Sequence, residues 1–204
     1  MLTKNESTIT GRNTEAQFSQ DKGRNLVLVG FMGCGKSTLA RRLSRELGMR
    51  LVDTDELIAR DAKCTIPQIF NDEGEDGFRR RETQALTQLL GQEGLVISTG
   101  GGIVTRKENH PILRQLGYVI WLTADADTVW DRVKRHSGRP MLQTEDPQQT
   151  IRDLLAERSV LYNAVADGDP VNTSNFSIDE IAYGLAETAR CYFTAQNEGS
   201  VTNV

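Results

Sequence analysis

With 204 residues, 38% of them apolar and 25% charged, the chain has the composition of one globular domain and little room for two. A formal net charge of -4, with no basic tract to offset it, argues against nucleic acid as a partner. No window approaches 18 uninterrupted apolar residues, which excludes a membrane-spanning helix.

Residues 1–24 are rich in Ser, Thr, Asn, Gln and Lys and lack the apolar centre of a secretory signal, so they read as a disordered leader. Residues 25–192 then form a single domain, and 193–204 a flexible polar tail. Cys34, Cys64 and Cys191 have neither metal-ligand spacing nor the pattern of a disulfide framework. A cytoplasmic monomer with no membrane partner is the expectation.

In chain order, Leu26-Val27-Leu28-Val29 reads as a buried strand. It runs into Gly30-Phe31-Met32-Gly33-Cys34-Gly35-Lys36-Ser37, which matches the phosphate-loop pattern G-x-x-x-x-G-K-[S/T]. Thr38 to Leu47 follows as an amphipathic helix stopped by Gly48. A helix N-terminus offers unpaired N–H groups and positive potential, and glycines let the backbone wrap phosphate oxygens. Gly33, Cys34, Gly35, Lys36, Ser37 and Thr38 are therefore the nucleotide-binding candidates. Lys36 reaches the terminal phosphates and the Ser37 hydroxyl suits Mg2+, so a nucleoside triphosphate with Mg2+ is the expected ligand. Cys34, near a helix N-terminus, is expected to be prone to alkylation.

Met49 to Val52 is a second strand leading to Asp53-Thr54-Asp55. The period of 2 turns both carboxylates toward one side at the strand's carboxyl end, where ligands of open α/β sheets bind. One of them could instead cap the helix from Glu56 to Ala62. A short helix over Thr65–Phe70 precedes Gly74-Glu75, and a long helix then runs through Leu90. In that helix Arg79 and Glu82 are three apart, so Glu82 can hold the guanidinium.

Gly94 to Ser98 is a third strand ending in Thr99-Gly100-Gly101-Gly102, a triplet that has no packing reason and exposes backbone N–H groups to a ligand, with a flexible hinge as the alternative. Val104 to Leu116 reads as one helix with 106–110 facing water. His110 reads as solvated. Tyr118 to Leu122 is the fourth strand, followed by a helix over Asp125–Lys134. The stretch 135–147 loses apolar period and collects Arg135, His136, Gly138, Arg139 and Pro140, as in a mobile lid. A helix over Gln148–Val165, a short strand at 170–172 and a helix over Ile178–Ala189 complete the domain. Three crossovers and five strands imply a three-layer α/β/α sandwich on a five-stranded parallel sheet.

Taken together, Val52-Asp53-Thr54-Asp55, Gly74-Glu75 with Phe78-Arg79, Thr99 to Gly102, Gly138-Arg139-Pro140-Met141-Leu142 and Glu157-Arg158 with Leu161-Tyr162 resemble the shikimate kinases. The similarity spans about Leu26 to Ala189. It implies a P-loop fold of the nucleoside-monophosphate-kinase type and transfer of the ATP γ-phosphate to the 3-hydroxyl of shikimate. By the resemblance, Asp53 stands on the Mg2+ side and Asp55 holds the ring hydroxyls. Arg79 and Arg158 grip the carboxylate, Gly101 and Gly102 give backbone contacts, and Arg139 closes over the phosphates. Lys36, Asp55 and Arg139 would then be catalytic. The loop Val171 to Phe176 lacks an arginine that some members carry, so adenine stacking falls to Arg132, Arg135 or Phe176. A related small-molecule kinase, such as a gluconate kinase, is the enzyme alternative, and a nucleotide-binding switch the non-enzyme one.

Overall fold

Leu26 to Val29 are buried along their whole length because the strand they form, β1 (Leu26–Gly30), lies at the centre of a parallel sheet. The computed structural model describes residues 22–134 and 144–201. The other strands are β2 (Arg50–Asp53), β3 (Leu95–Ser98), β4 (Tyr118–Thr123) and β5 (Val171–Asn172), in the order β2-β3-β1-β4-β5. Every pairing is parallel. The sheet therefore needs a helical crossover after each strand, with apolar strands buried on both faces.

Among the described residues seven α-helices supply the covering layers: α1 (Lys36–Leu47), α2 (Thr54–Ala62), α3 (Ile66–Leu89), α4 (Asn109–Leu116), α5 (Ala126–Val133), α6 (Pro147–Val165) and α7 (Ile178–Val201). Helices α1 and α7 pack together on one face, and α4 and α6 on the other. This is the three-layer α/β/α sandwich of the P-loop, nucleoside-monophosphate-kinase-like type. No helix among the described residues is long and apolar enough to cross a membrane.

Register decides where the chemistry gathers. Asp53 at the end of β2 pairs with Ser98 at the end of β3, and Ser98 pairs with Leu28 of β1. The acidic pair, the glycine triplet and the phosphate loop thus leave the sheet at one carboxyl edge.

Four local readings change. The two helices expected around Gly74 are merged into α3 across a kink. Gly74 sits at φ 69, ψ -176, which a Cβ would make strained, while Thr65 and Gln68 form a capping box at the start of α3. The expected helix over Val104–Leu116 is a 3-10 turn, Ile103–Thr105, followed by α4. Asn109 causes the break: it is buried rather than solvated, donating to the Ile103 carbonyl at 2.7 Å and accepting from Thr83 Oγ1 at 2.7 Å. His110 is tied to the Val104 carbonyl at 2.8 Å rather than facing water freely. Finally, α7 runs twelve residues past Ala189 because Tyr192 is buried against Tyr118, with ring centroids 5.1 Å apart.

Of the stretch read as a disordered leader, residues 1–21 lie outside the described residues, and so do 135–143 of the lid, with Arg135, His136 and Arg139.

Candidate active site

At the carboxyl edge the loops surround one cleft of about 920 Å³. Among its walls are Gly33, Gly35, Lys36, Ser37 and Thr38 of the phosphate loop, and Asp53 and Asp55 beside it. Arg79, Gly101, Gly102, Arg132 and Arg158 complete the set. Of the described residues singled out from sequence, only Cys34 does not line it. Its side chain is turned inward and fully buried, with Sγ 3.8 Å from Lys36 Nζ. The expectation of a thiol open to alkylation is therefore corrected, because the loop folds around the sulfur.

Lys36 lies along its own loop, donating to the carbonyls of Gly30 at 2.8 Å and Phe31 at 2.9 Å. Ser37 Oγ donates to Asp53 Oδ2 at 3.1 Å. The other Asp53 oxygen accepts from the Asp55 N–H at 3.0 Å, so Asp53 is the N-cap of α2. One carboxylate thus both caps α2 and meets the Ser37 hydroxyl of the phosphate loop. Its free geometry is a hydroxyl and a carboxylate oxygen side by side, which is the hard-oxygen donor set that Mg2+ takes alongside phosphate and water. No cluster of three or more His, Cys, Asp or Glu able to hold a metal occurs among the described residues.

On the other side of the cleft the two arginines converge on consecutive glycines from helices far apart in sequence. Arg158 of α6 donates to the Gly101 carbonyl at 3.4 Å and lies over the Phe31 ring at 5.7 Å. Arg79 of α3 lies against Gly102, where a Cβ would come within 2.1 Å of its Nη1. Arg79 is only 7% exposed, and Glu82 takes its Nη1 at 2.6 Å while Glu75 takes its Nη2 at 3.0 Å. Burial works against the guanidinium charge, but Glu82 and Glu75 outweigh it and hold Arg79 above its ordinary pKa.

The triplet is therefore not free of packing duty. Gly100 leaves room for the Glu82 and Asp55 carboxyls, Gly101 for the Met32 N–H, and Gly102 for the Arg79 guanidinium. This corrects the view that packing has no part in it: the neighbours are charged side chains at Gly100 and Gly102 and loop backbone at Gly101.

Toward the opposite end of the cleft, Arg132 ties the phosphate loop to the loop after β5. It donates to the Gly33 carbonyl at 3.1 Å, to Thr173 Oγ1 at 3.0 Å and to the Thr173 carbonyl at 2.8 Å. Phe176 lines the same end and is 62% exposed.

Comparison with known proteins bears on this geometry. The Shikimate kinase family model matches residues 32–190, which is most of the chain. The chain belongs to the shikimate kinase family. Its activity is accordingly the ATP-dependent phosphorylation of shikimate to shikimate 3-phosphate. A shikimate kinase of Actinobacillus pleuropneumoniae serotype 5b is 44% identical over 144 residues, 71% of this chain and 83% of the relative. The solved shikimate kinase of Acinetobacter baumannii, a complex with shikimate, superposes with a TM-score of 0.77 at 39% identity, covering 82% of this chain and 93% of that one. The Bacteroides thetaiotaomicron shikimate kinase gives a TM-score of 0.73 at 27% identity, covering 81% of this chain and 98% of that one.

Several residues in or beside this kinase's cleft were given no role by the sequence reading. Thr54, buried, accepts from the Gly100 N–H at 3.1 Å and pins the triplet to α2. Tyr162 donates to the Gly101 carbonyl at 2.5 Å, and burial raises its pKa far above the ordinary phenol range. Ser98 meets Ser37 Oγ at 3.3 Å, and Thr173 Oγ1 donates to the Cys34 carbonyl at 3.0 Å. Position at the carboxyl ends of strands was the available signal for Ser98 and Thr173. For Tyr162 the signal was its helical spacing from Arg158.

Proposed function

We propose that the cleft divides the kinase reaction between a nucleotide end, built from the phosphate loop and Arg132, and an acceptor end, built from Asp55, Arg79, Arg158 and the glycine triplet. The observation that carries this reading is the convergence of two nearly buried guanidinium groups on Gly101 and Gly102. Buried arginine forks suit a planar carboxylate, which they meet with paired, directed hydrogen bonds. Shikimate, the acid in the solved Acinetobacter baumannii complex, presents such a group.

At the nucleotide end, Gly33, Gly35 and Thr38 offer the backbone of a helix N-terminus to phosphate oxygens. Lys36 leaves the Gly30 and Phe31 carbonyls for the terminal phosphates, exchanging neutral acceptors for charged ones. Ser37 and Asp53 would hold Mg2+, Asp53 directly or through water, and the ion when bound neutralises charge on the phosphates. Phe176 and Arg132 flank the space left for the base. At the acceptor end, Asp55 faces the cleft beside Gly100 and orients the attacking hydroxyl. A loose phosphoryl transition state asks mainly for position and charge compensation, so Asp55 need not be a strong base. Arg139 belongs to this reading as the charge supplied on closure. A cytoplasmic location and a monomeric state also belong to it, and light scattering after size exclusion tests the second.

The deciding experiment is calorimetry on Arg79→Lys and Arg158→Lys. A lysine presents a point charge in place of a fork, so each should weaken shikimate binding while ATP affinity stays within about twofold. If both arginines hold one carboxylate, the losses should be non-additive in the double variant. Wild-type shikimate affinity in either single variant would remove that arginine from the acceptor end.

A further inference from the structure

Glu82 is the one carboxyl among the described residues that is wholly buried, at 0% exposure, in the wall of the cleft. One oxygen, Oε2, accepts from Arg79 Nη1 at 2.6 Å. The other, Oε1, has no hydrogen-bond partner among the described residues. It faces the acceptor side of Gly100: a Cβ built there would lie 2.6 Å from Glu82 Oε1 and 2.9 Å from Asp55 Oδ1. Two carboxyl oxygens therefore crowd one spot with no side chain between them.

The charged groups facing Glu82 come from three elements. Arg79 lies on its own helix α3, with Glu75 beyond it; Asp55 comes from α2 and Arg158 from α6. Arg79 and Arg158 balance Asp55 and Glu82 two against two, while Glu75 is open to solvent. An entering carboxylate adds a third anion to the same two nearly buried cations. Like charges so placed cannot all remain ionised without large cost, and one must take a proton.

We propose that binding of the acceptor's carboxylate is coupled to uptake of one proton by Glu82. The inference rests on the reading that Arg79 and Arg158 hold that carboxylate. The bookkeeping of atoms is simple: a proton from solvent adds to Oε1, the carboxylate becomes a neutral carboxyl, and the proton returns to solvent when the ligand leaves. Oε2 keeps its place on Arg79, so the guanidinium stays aimed while its charge is released to the ligand. The entering carboxylate stays ionised because it receives both forks. Burial already pushes Glu82 up to about 7, with Asp55 adding to the rise and Arg79 and Arg158 opposing it, so a further push acts within the neutral range. Glu82 thereby acts as a positioning residue whose protonation sets acceptor affinity.

The sign follows from linkage. Below about pH 6, Glu82 holds its proton with or without ligand, and affinity does not vary with its titration. Above about pH 7 the free enzyme has lost the proton and must regain it to bind, so the shikimate Kd should rise, approaching tenfold per pH unit.

The test is titration calorimetry of shikimate into the intact enzyme in buffers of different ionisation enthalpy. At pH 8 wild type should take up close to one proton per shikimate bound, and at pH 6 almost none. E82Q, which keeps the shape and an acceptor for Arg79, should show no uptake and a Kd that does not vary between pH 6 and 8. Near-ultraviolet circular dichroism reports whether E82Q is folded, and the wild-type measurement stands without it. Wild type that binds shikimate at pH 8 without taking up a proton overturns the coupling, as does uptake that persists in E82Q. Unchanged shikimate affinity in Arg79→Lys and Arg158→Lys overturns the underlying reading instead, and the coupling with it.

Discussion

A single methyl group on Gly102 should disable the acceptor end while leaving the fold in place. Gly102 has φ -98 and ψ 2, a conformation open to alanine, so the backbone does not oppose Gly102→Ala. The obstacle is Arg79: the new Cβ would stand 2.1 Å from Nη1, 2.3 Å from Cζ and 2.4 Å from Nη2. Ordinary contact distances require the guanidinium to withdraw by about 1 Å or more. Its bond to Glu82 is 2.6 Å long, and hydrogen bonds of this kind fail beyond about 3.2 Å, so the brace breaks with the withdrawal. A hydrogen bond to a charged group contributes about 1.5–3 kcal/mol. Losing one such bond to the acceptor's carboxylate corresponds to roughly 10- to 150-fold weaker binding. The displaced atoms are the tip of one side chain at a cleft, so the domain should still unfold cooperatively. The assay is calorimetric titration of shikimate and, separately, of ATP into Gly102→Ala, with thermal unfolding alongside. Shikimate affinity within about twofold of wild type would refute the claim that Arg79 must lie against Gly102 to bind. Equal losses for ATP and shikimate would place the damage in the fold.

Three further outcomes are expected. Lys36→Met should remain folded and lose about 10²-fold or more in kcat, as for other lost electrostatic stabilisers, and steady-state turnover within threefold of wild type would contradict the role. Because Glu82 titrates at about 7 in the fold against an ordinary 4.5, the folded state holds this proton longer than the unfolded chain. The stability this contributes is full below pH 4.5 and is lost as pH rises through about 7. Urea unfolding of the ligand-free enzyme should show that fall, with a limiting slope of about 1.4 kcal/mol per pH unit, and E82Q should lack this part of it. Iodoacetamide should modify the exposed Cys191 well before the buried Cys34, as read by peptide mass spectrometry, and early loss of the Cys34 thiol would show a looser phosphate loop.

What was legible in the chain is what local chemistry dictates. Gly30 to Ser37 needs only its own backbone and the helix it opens to make a phosphate site, so motif and structure coincide. Strand period reached Asp53 at the end of β2, whereas Asp55 comes to the cleft from the first turn of α2, which starts at Thr54 rather than Glu56; helix spacing paired Arg79 with Glu82. The misreadings have a common cause, which is a partner distant in sequence. Asn109 looked like a solvated helix residue because nothing nearby reveals that Thr83 and Ile103 enclose it. The last helix was ended at Ala189 because the partner of Tyr192, Tyr118, lies far away in sequence. Cys34 looked open because the inward turn of its side chain is set by the loop's tertiary surroundings. The glycine triplet was read as open to a ligand, without sight of the charged groups from α2 and α3 that lie against Gly100 and Gly102.

The central claim is that this one cleft moves phosphate from ATP to shikimate, and coupled ADP release tests it most directly. The assay compares shikimate, gluconate and nucleoside monophosphates as acceptors, each with and without Mg2+. ADP release should require Mg2+ and shikimate together, and the product should carry phosphate on the 3-hydroxyl. Turnover with gluconate or a nucleoside monophosphate and none with shikimate would contradict the account.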